Sequence, residues 1–154
     1  MTLSIRKARA DEAEALSELC RRSKAHWGYD AAFMRLSSSA LQVPAAAIVE
    51  GSVLVAVDAA DLPVGIAACR PLAADGDFDL SHLFVEPTVL RGGIGRALFA
   101  AACAWCAERG GKRLTILSDP NAVAFYRRLG ALPIGHAPSD AIPGRMLPLL
   151  QYRL

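Results

Sequence analysis

The sequence predicts an α/β fold in one domain that spans residues 1–154. Runs rich in Val, Ile and Leu alternate along the chain with stretches whose apolar residues recur at helical spacing. Of the 154 residues 53% are hydrophobic, so the chain can bury a core of its own. No repeat, low-complexity segment or linker-like stretch divides it, which favours a single domain.

Strand and helix signals assign the elements in order along the chain. Strands are predicted at residues 3–7, 53–57, 64–71, 77–85, 113–117, 132–136 and 146–153. Helices are predicted from a capping box at Asp11 and Glu14 to about residue 23, at residues 31–38, 93–109 and 120–129, with a helical turn at residues 44–50. Residues 83–98 are the most informative part, because an apolar strand passes through a proline turn into a glycine-dense loop that opens a helix.

The glycine-dense loop is typical of an anion site. Gly92, Gly93 and Gly95 allow positive φ and a close approach of the main chain to a ligand. The first N–H groups of the following helix lack acceptors within the helix, and the helix dipole adds positive potential. Together these features suit a pyrophosphate.

The spacing of this loop disfavours two common nucleotide folds. A P-loop needs Gly-Lys-Ser/Thr, whereas Gly95 is followed by Arg96 and Ala97. A Rossmann fingerprint needs G-x-G-x-x-G on the first strand–helix unit, whereas this loop reads G-G-x-G beyond the middle of the chain.

The loop resembles motif A of the GNAT N-acetyltransferase superfamily, Q/R-x-x-G-x-G/A. The six motif positions fall on Leu90, Arg91, Gly92, Gly93, Ile94 and Gly95. The resemblance implies that these main-chain amides, with Arg96 beside them, hold the pyrophosphate of coenzyme A. Leu90 departs from the family pattern, which affects a side-chain contact but not the amide cradle.

Residues 118–131, SDPNAVAFYRRLGA, resemble motif B of the same superfamily. Asp119 is a good N-cap, Pro120 fits the first helical position, and Gly130 fits the left-handed position after the helix. Tyr126 lies on the apolar stripe of this helix, where a packed tyrosine bonded to main chain is one interpretation. The resemblance implies the other, that its phenol protonates the departing coenzyme A thiolate.

The order of the elements resembles the GNAT arrangement over nearly the whole chain. It implies a mixed, mostly antiparallel sheet with helices on both faces, in which the central strand and the strand after the long helix splay apart. An extended pantetheine arm then bonds the main chain of Leu83, Phe84 and Val85 as a neighbouring strand would. Asp119 and Tyr126 complete the implied binding site for acetyl-CoA.

Acetyl transfer to an amine needs a base, because an ammonium group has no free lone pair. Asp79 is the first candidate, His82 the second and Glu86 a weaker third. Strict strand alternation puts Asp79, Ser81, Leu83 and Val85 on one face and Leu80, His82 and Phe84 on the other. Each of the candidates also has a purely structural interpretation, so the base is left open.

The acceptor is defined only as a small-molecule or peptide amine. Residues 26–29, with Trp27 and Tyr29, are predicted to border its pocket, where an aromatic pair suits a cationic group, although ordinary packing explains them equally well. The apolar tail at residues 142–150 either covers the pocket or pairs with a second copy in a homodimer.

The net charge and the cysteines limit which other classes of protein the chain can belong to. The net charge of +2 is too small to argue for nucleic acid, although residues 1–79 carry a net −3 and residues 80–154 a net +5. The four cysteines fit buried free thiols, and no metal site is expected. With neither a leader sequence nor a long apolar run, we expect a cytoplasmic protein away from membranes.

The sequence therefore predicts an acetyl-CoA-dependent N-acetyltransferase that works by direct attack in a ternary complex. A catalytically weak coenzyme A sensor or interaction module with the same fold is the alternative. A flavin- or nucleotide-binding α/β protein is a third, weaker hypothesis.

Overall fold

The computed structural model describes residues 3–90 and 92–154. These residues form seven strands: β1 Ser4–Lys7, β2 Val53–Val57, β3 Pro63–Pro71, β4 Asp77–Val85, β5 Arg113–Leu117, β6 Leu132–Pro138 and β7 Met146–Arg153. Five α-helices accompany them: α1 Ala13–Ala25, α2 Ala31–Leu41, α3 Ala45–Val49, α4 Ile94–Ala107 and α5 Val123–Arg128. The predicted element order is confirmed, and most of the predicted bounds lie within two residues of these.

All seven strands form one sheet in the order β1-β2-β3-β4-β5-β7-β6. Every neighbouring pair is antiparallel except β4 and β5, which are parallel. That parallel pairing covers only Asp77–Asp79 of β4 against Arg113–Thr115 of β5. The two strands then separate, so the predicted splayed, mixed sheet is confirmed and β4 has an open edge from Leu80 onward.

Helices cover both faces of the sheet and define two cores. On one face α4 buries Ile94, Leu98 and Phe99 against the central strands, with Leu114 and Ile116 of β5 in the same cluster. The opposite face is covered by α1 and α2. Their buried residues Leu16, Leu19, Cys20 and Leu41 pack with Val53, Val55 and Ile66 of the sheet.

A β-bulge in β4 overturns the strict alternation expected for this strand. Ala68 of β3 pairs with His82, but the next residue, Cys69, pairs with Leu80, so Ser81 is the extra residue. Leu80 consequently packs in the α4-side core together with Leu83 and Val85, which alternation had placed on the opposite face. Phe84 packs in the other core, on the α1 side.

The N-terminal caps of two helices differ in how well they were predicted. Before α1 the capping contact is made by Glu12, whose Oε1 accepts from the main-chain N–H of Arg9 at 2.7 Å, and not by the predicted pair Asp11 and Glu14. Before α5 the Asp119 carboxylate accepts from the N–H of Asn121 as predicted. There the first turn, Pro120–Ala122, is a 3₁₀ turn that leads into the α-helix.

Candidate active site

A cavity of about 650 Å³ opens where β4 and β5 diverge. Its volume is typical of a site for a small molecule or cofactor. Its wall includes ten of the residues predicted for the site: Leu83, Phe84, Val85, Leu90, Gly93, Ile94, Gly95, Arg96, Asp119 and Tyr126. Asp79, His82 and Gly92 are not part of this wall, and Arg91 lies outside the described residues.

The first turn of α4 presents main-chain N–H groups to the cavity. Gly93 is the N-cap, and its φ of +77° is a left-handed conformation that favours glycine. The N–H of Ala97 bonds to the Gly93 carbonyl, so the N–H groups that come before it have no acceptor within the helix. Gly93, Ile94, Gly95 and Arg96 all line the cavity, which puts these donors and the positive end of the helix dipole at its wall.

Only one of the three loop glycines has the positive φ that was expected of all of them. Gly92 and Gly95 are absent from the left-handed region, and Gly95 lies within α4. A Cβ on Gly95 would lie 3.2 Å from the Phe125 ring, so glycine at this position lets α5 approach the start of α4. The loop therefore combines one conformational glycine with one packing glycine.

Tyr126 contributes a buried phenol to the cavity wall. The residue is 7% exposed, lies in the α4-side core and packs against Phe99 and Phe125. Its hydroxyl makes no hydrogen bond to any described residue, yet none of their buried side-chain oxygens is left unsatisfied. The hydroxyl therefore meets the open cavity and is not tied to main chain. Burial, with smaller effects of Cys69 and Asp119, raises the pKa of this phenol well above its usual value, so it carries its proton at neutral pH.

Asp119 is the centre of a side-chain network that the sequence did not predict. Lys24 Nζ donates to its Oδ2 at 2.5 Å, and Tyr29 OH donates to the same oxygen at 2.8 Å. Oδ1 accepts from the N–H and the side-chain amide of Asn121, each at 2.9 Å. Burial alone would raise the pKa of Asp119, but the hydrogen bonds and the Lys24 charge outweigh it and hold the pKa below its usual value.

The network extends to the loop between β6 and β7. Arg145 Nη2 donates to Tyr29 OH at 3.0 Å, and its guanidinium lies 4.9 Å from the Phe33 ring centroid. Tyr29 itself stacks on Phe33 with ring centroids 4.0 Å apart. Trp27 lines the cavity and is 47% exposed. Tyr29 is thus occupied by packing and hydrogen bonds, and it does not form the aromatic pair with Trp27 considered from the sequence.

Two of the three candidate bases are engaged in ion pairs. Asp79 accepts from Arg70 Nε at 3.0 Å, and burial raises the pKa of its carboxyl against the opposing effect of Arg70. Glu86 binds Arg22 through two hydrogen bonds of 3.0 and 2.7 Å. Neither carboxylate lines the cavity.

His82 is buried directly behind the cavity wall. Its Nε2 lies 3.2 Å from the Gln42 carbonyl oxygen and its Nδ1 lies 3.1 Å from Ser81 Oγ. Ser81 lines the cavity, and its hydroxyl also donates to the Ala68 carbonyl at 3.0 Å. Burial lowers the pKa of His82, so its neutral form is favoured.

Several residues of the cavity wall escaped the analysis of the sequence. Ser81, Lys24 and Asn121 all line it. Arg128 also lines it, and it belongs to the half of the chain, residues 80–154, whose net charge is +5. Lys24 gave no signal in the sequence, because its partner Asp119 is 95 residues away.

No helix of the described residues is both long enough and apolar enough to cross a membrane. Three of the four cysteines are buried and Cys103 is half-buried; all four are free thiols.

Comparisons with known proteins agree with this geometry. The structure is similar to PaiA N-acetyltransferase from Thermoplasma acidophilum in complex with coenzyme A, with 18% identity, all of both chains covered and a TM-score of 0.79. It is also similar to the apo form of YjaB from Escherichia coli, with 27% identity, 99% and 97% of the two chains covered and a TM-score of 0.68.

A third similar structure is N-acetylglutamate synthase from Neisseria gonorrhoeae, solved with coenzyme A and N-acetyl-glutamate. It is 20% identical with a TM-score of 0.72, and the match covers all of this chain but 35% of that one. The sequence has no significant match among curated proteins.

The family model described as "Acetyltransferase (GNAT) domain" matches residues 18–136, which is most of the chain. The matched region contains the open edge of β4, the first turn of α4 and Tyr126. The chain belongs to the GNAT acetyltransferase family.

Proposed function

We propose that this protein is an acetyl-CoA-dependent N-acetyltransferase that acetylates a primary amine by direct attack in a ternary complex. One observation carries the proposal. The N-terminus of α4, the open edge of β4 and a tyrosine hydroxyl with no hydrogen bond to the described residues meet in a single cavity. An anion site suits the diphosphate of a thioester carrier, a strand-like groove suits its extended arm, and an acid can protonate the leaving thiolate.

The cradle for the diphosphate is assigned to the loop before α4. Its residues are Leu90, Arg91, Gly92, Gly93, Ile94, Gly95 and Arg96. Within the described part of this segment the donors are main-chain N–H groups, and Arg96 adds a cation at the cavity wall. These main-chain amides suit the anionic oxygens of a diphosphate because their positions are fixed before the ligand binds.

The pantetheine arm is assigned to the open edge of β4. Leu83, Phe84 and Val85 line the cavity on the side where β5 has diverged. The arm's amides would then bond this edge as an added strand. Asp119 and Tyr126 line the same cavity from the β5–α5 side, which would bring the thioester between Tyr126 and the bulge of β4.

Tyr126 is assigned as the acid that protonates the departing thiolate. Its hydroxyl faces the cavity without a hydrogen-bond partner among the described residues, and its raised pKa keeps it protonated at neutral pH. None of the four cysteines lines the cavity, which favours direct attack over an acetyl-cysteine intermediate.

The base is assigned to the β4 residues Asp79 or His82. Asp79 is held by Arg70 and does not reach the cavity wall, so it would need an intervening water. His82 is separated from the cavity by Ser81.

Binding and turnover test this proposal separately. Isothermal calorimetry with acetyl-CoA, CoA, FMN and ATP should show binding of the first two alone. Thiol release should then be measured against a panel of primary amines that includes an amino acid, spermidine, an aminoglycoside and a short peptide.

We expect release above the hydrolytic background with at least one class of amine. Binding without release from any amine would favour the sensor alternative. No binding of either coenzyme form would overturn the proposed function.

A further inference from the structure

The bulge of β4 places a residue of the cavity wall, Ser81, in hydrogen-bond contact with a buried imidazole. Ser81 is the extra residue of the bulge and lines the cavity. His82, the next residue, is 7% exposed and does not line it. Their side chains meet at 3.1 Å, between His82 Nδ1 and Ser81 Oγ.

The hydrogen bonds around His82 decide which nitrogen can accept a proton. Nε2 faces the carbonyl oxygen of Gln42 at 3.2 Å, and a carbonyl can only accept, so Nε2 carries the hydrogen. In the neutral ring Nδ1 then has a free lone pair, and that lone pair faces Ser81 Oγ.

Ser81 has a single proton and two acceptors for it. Its hydroxyl lies 3.0 Å from the Ala68 carbonyl and 3.1 Å from His82 Nδ1. While the proton points to Ala68, Nδ1 has no donor. If an acid in the cavity gives a proton to Ser81 Oγ, the hydroxyl can pass its own proton to Nδ1, and every group is then satisfied.

We infer that Ser81 is a catalytic residue that carries the proton of the amine acceptor to His82. The inference deepens the proposed function and rests on it. Ser81 contacts the substrate, and His82 is the base behind it.

The proton balance of the step closes without another reactant. The ammonium group gives one proton to Ser81 Oγ while the Ser81 proton moves to His82 Nδ1, leaving a neutral amine. The amine nitrogen bonds to the thioester carbon, the C–S bond breaks, and the sulfur takes the Tyr126 proton. The nitrogen returns a proton to the Tyr126 oxygen, and the His82 imidazolium releases its proton to solvent after the products leave.

The surroundings of His82 support a base that is neutral before the reaction. Arg70 on β3 is the charged group whose field acts on it, and this cation is paired with Asp79. From the end of α2, Gln42 and Leu41 present main-chain carbonyls to the ring. Burial and Arg70 lower its pKa, whereas these carbonyls raise it, and the net direction is downward.

The first test needs no acceptor. The chain has three histidines, so ¹⁵N-correlated NMR of their rings, with His82→Gln used for assignment, can identify the tautomer of His82. We expect the Nε2–H form in the protein with and without CoA. An Nδ1–H tautomer would overturn the relay, because that nitrogen could then not accept a proton.

The second test uses Ser81→Ala, Ser81→Thr and His82→Gln with the panel amine of highest turnover. We expect Ser81→Ala and His82→Gln each to lower kcat about 100-fold, the double variant to be no worse, and Ser81→Thr to retain most activity. CoA affinity by calorimetry should not change. The acidic limb of the kcat profile should flatten in Ser81→Ala.

Matched controls separate the relay from other outcomes. Ser37→Ala removes a buried hydroxyl outside the cavity and should leave kcat unchanged. Full activity in Ser81→Ala, or a large loss confined to Asp79→Asn, would overturn the relay while leaving the transferase intact. An acetyl group found on Ser81 by mass spectrometry would also overturn it. Failure of the wild type to bind CoA would instead overturn the proposed function itself.

Discussion

Two parts of the cavity wall present different chemical groups, main-chain N–H groups in one and side chains in the other. At the start of α4 the wall consists of main-chain N–H groups around Gly93 and Gly95, supported by close helix packing. Around Asp119 it consists of side chains from α1 and the turn before α5, joined by an ion pair and hydrogen bonds, and Tyr29 of the α1–α2 loop hydrogen-bonds to Asp119. The first part depends on local chain geometry, whereas the second depends on residues that are distant in sequence.

This difference predicts how each part responds to mutation. Apart from proline, no substitution removes a main-chain N–H, so other substitutions should weaken the proposed cradle only by disturbing its conformation. The Asp119 network can lose one charge at a time, so its losses should be smaller and depend on pH.

The largest effect is expected from Gly93→Val. Valine is strained at φ +77°, so the variant should lose measurable CoA binding, which calorimetry would detect. Gly110→Val is the matched control, because Gly110 has φ +78°, equally open space and no place in the cavity wall. Loss of CoA binding in both variants, or in neither, would contradict a cradle specific to Gly93.

Tyr126→Phe should lower kcat by a factor of about 100 or more, since it removes the proposed acid and keeps the packing. CoA affinity should stay within experimental error, because the ring contacts with Phe99 and Phe125 remain. Thiol release and calorimetry on the same samples measure the two quantities. Tyr152→Phe, which removes a hydroxyl outside the cavity, is the control; an active Tyr126→Phe would reject the assignment.

Gly95→Ala tests the packing glycine. The added Cβ would lie 3.2 Å from the Phe125 ring, so we expect a destabilisation of about 1–3 kcal/mol in chemical denaturation. Phe125→Leu in the same chain should recover part of this loss, because it shortens the opposing side chain. If the double variant were no more stable than Gly95→Ala, the contact with Phe125 would not be the cause.

The smallest effect is expected at the Lys24–Asp119 pair. A double-mutant cycle with Lys24→Met and Asp119→Asn should give a coupling of about 1 kcal/mol, because both side chains are mostly buried but still reach the cavity. Asn keeps the capping oxygen, so α5 should persist. Additive effects of the two substitutions would contradict the coupling.

The Lys24–Asp119 pair also predicts how the stability of the folded protein changes with pH. The pKa of Asp119 is lowered in the folded protein, so its contribution is present above the unfolded value of about 3.9 and is lost as pH falls through the folded pKa. Acid unfolding of wild type and Lys24→Met should therefore converge at low pH. A stability difference that stayed constant to acid pH would argue against the ion pair.

The fold and the glycine-dense loop before α4 were predictable because their signals are local. Strand β4 was predicted with its observed bounds, Asp77–Val85, and the N-cap at Asp119 and the left-handed Gly93 follow from a few neighbouring residues each. The bulge at Ser81 was not predictable, since it depends on the register of β4 against β3 and no residue type marks it. Because of this bulge, the β4 residues before Ser81 lie on the opposite face of the sheet from the one that strict alternation with the later residues would give them.

By itself the sequence determined the order of elements, the glycine-dense loop before α4 and the position of Tyr126 on α5, since each rests on periodicity, capping or chain conformation within one segment. Only the tertiary structure decided that Asp119 binds Lys24 and Tyr29, that the Tyr126 hydroxyl has no hydrogen bond within residues 3–90 and 92–154, and that Ser81 stands between the cavity and His82. The physical reason is the distance in sequence between the residues that interact. Side-chain contacts between elements depend on register and packing angles, which are set by the whole sheet and leave no pattern within a single segment.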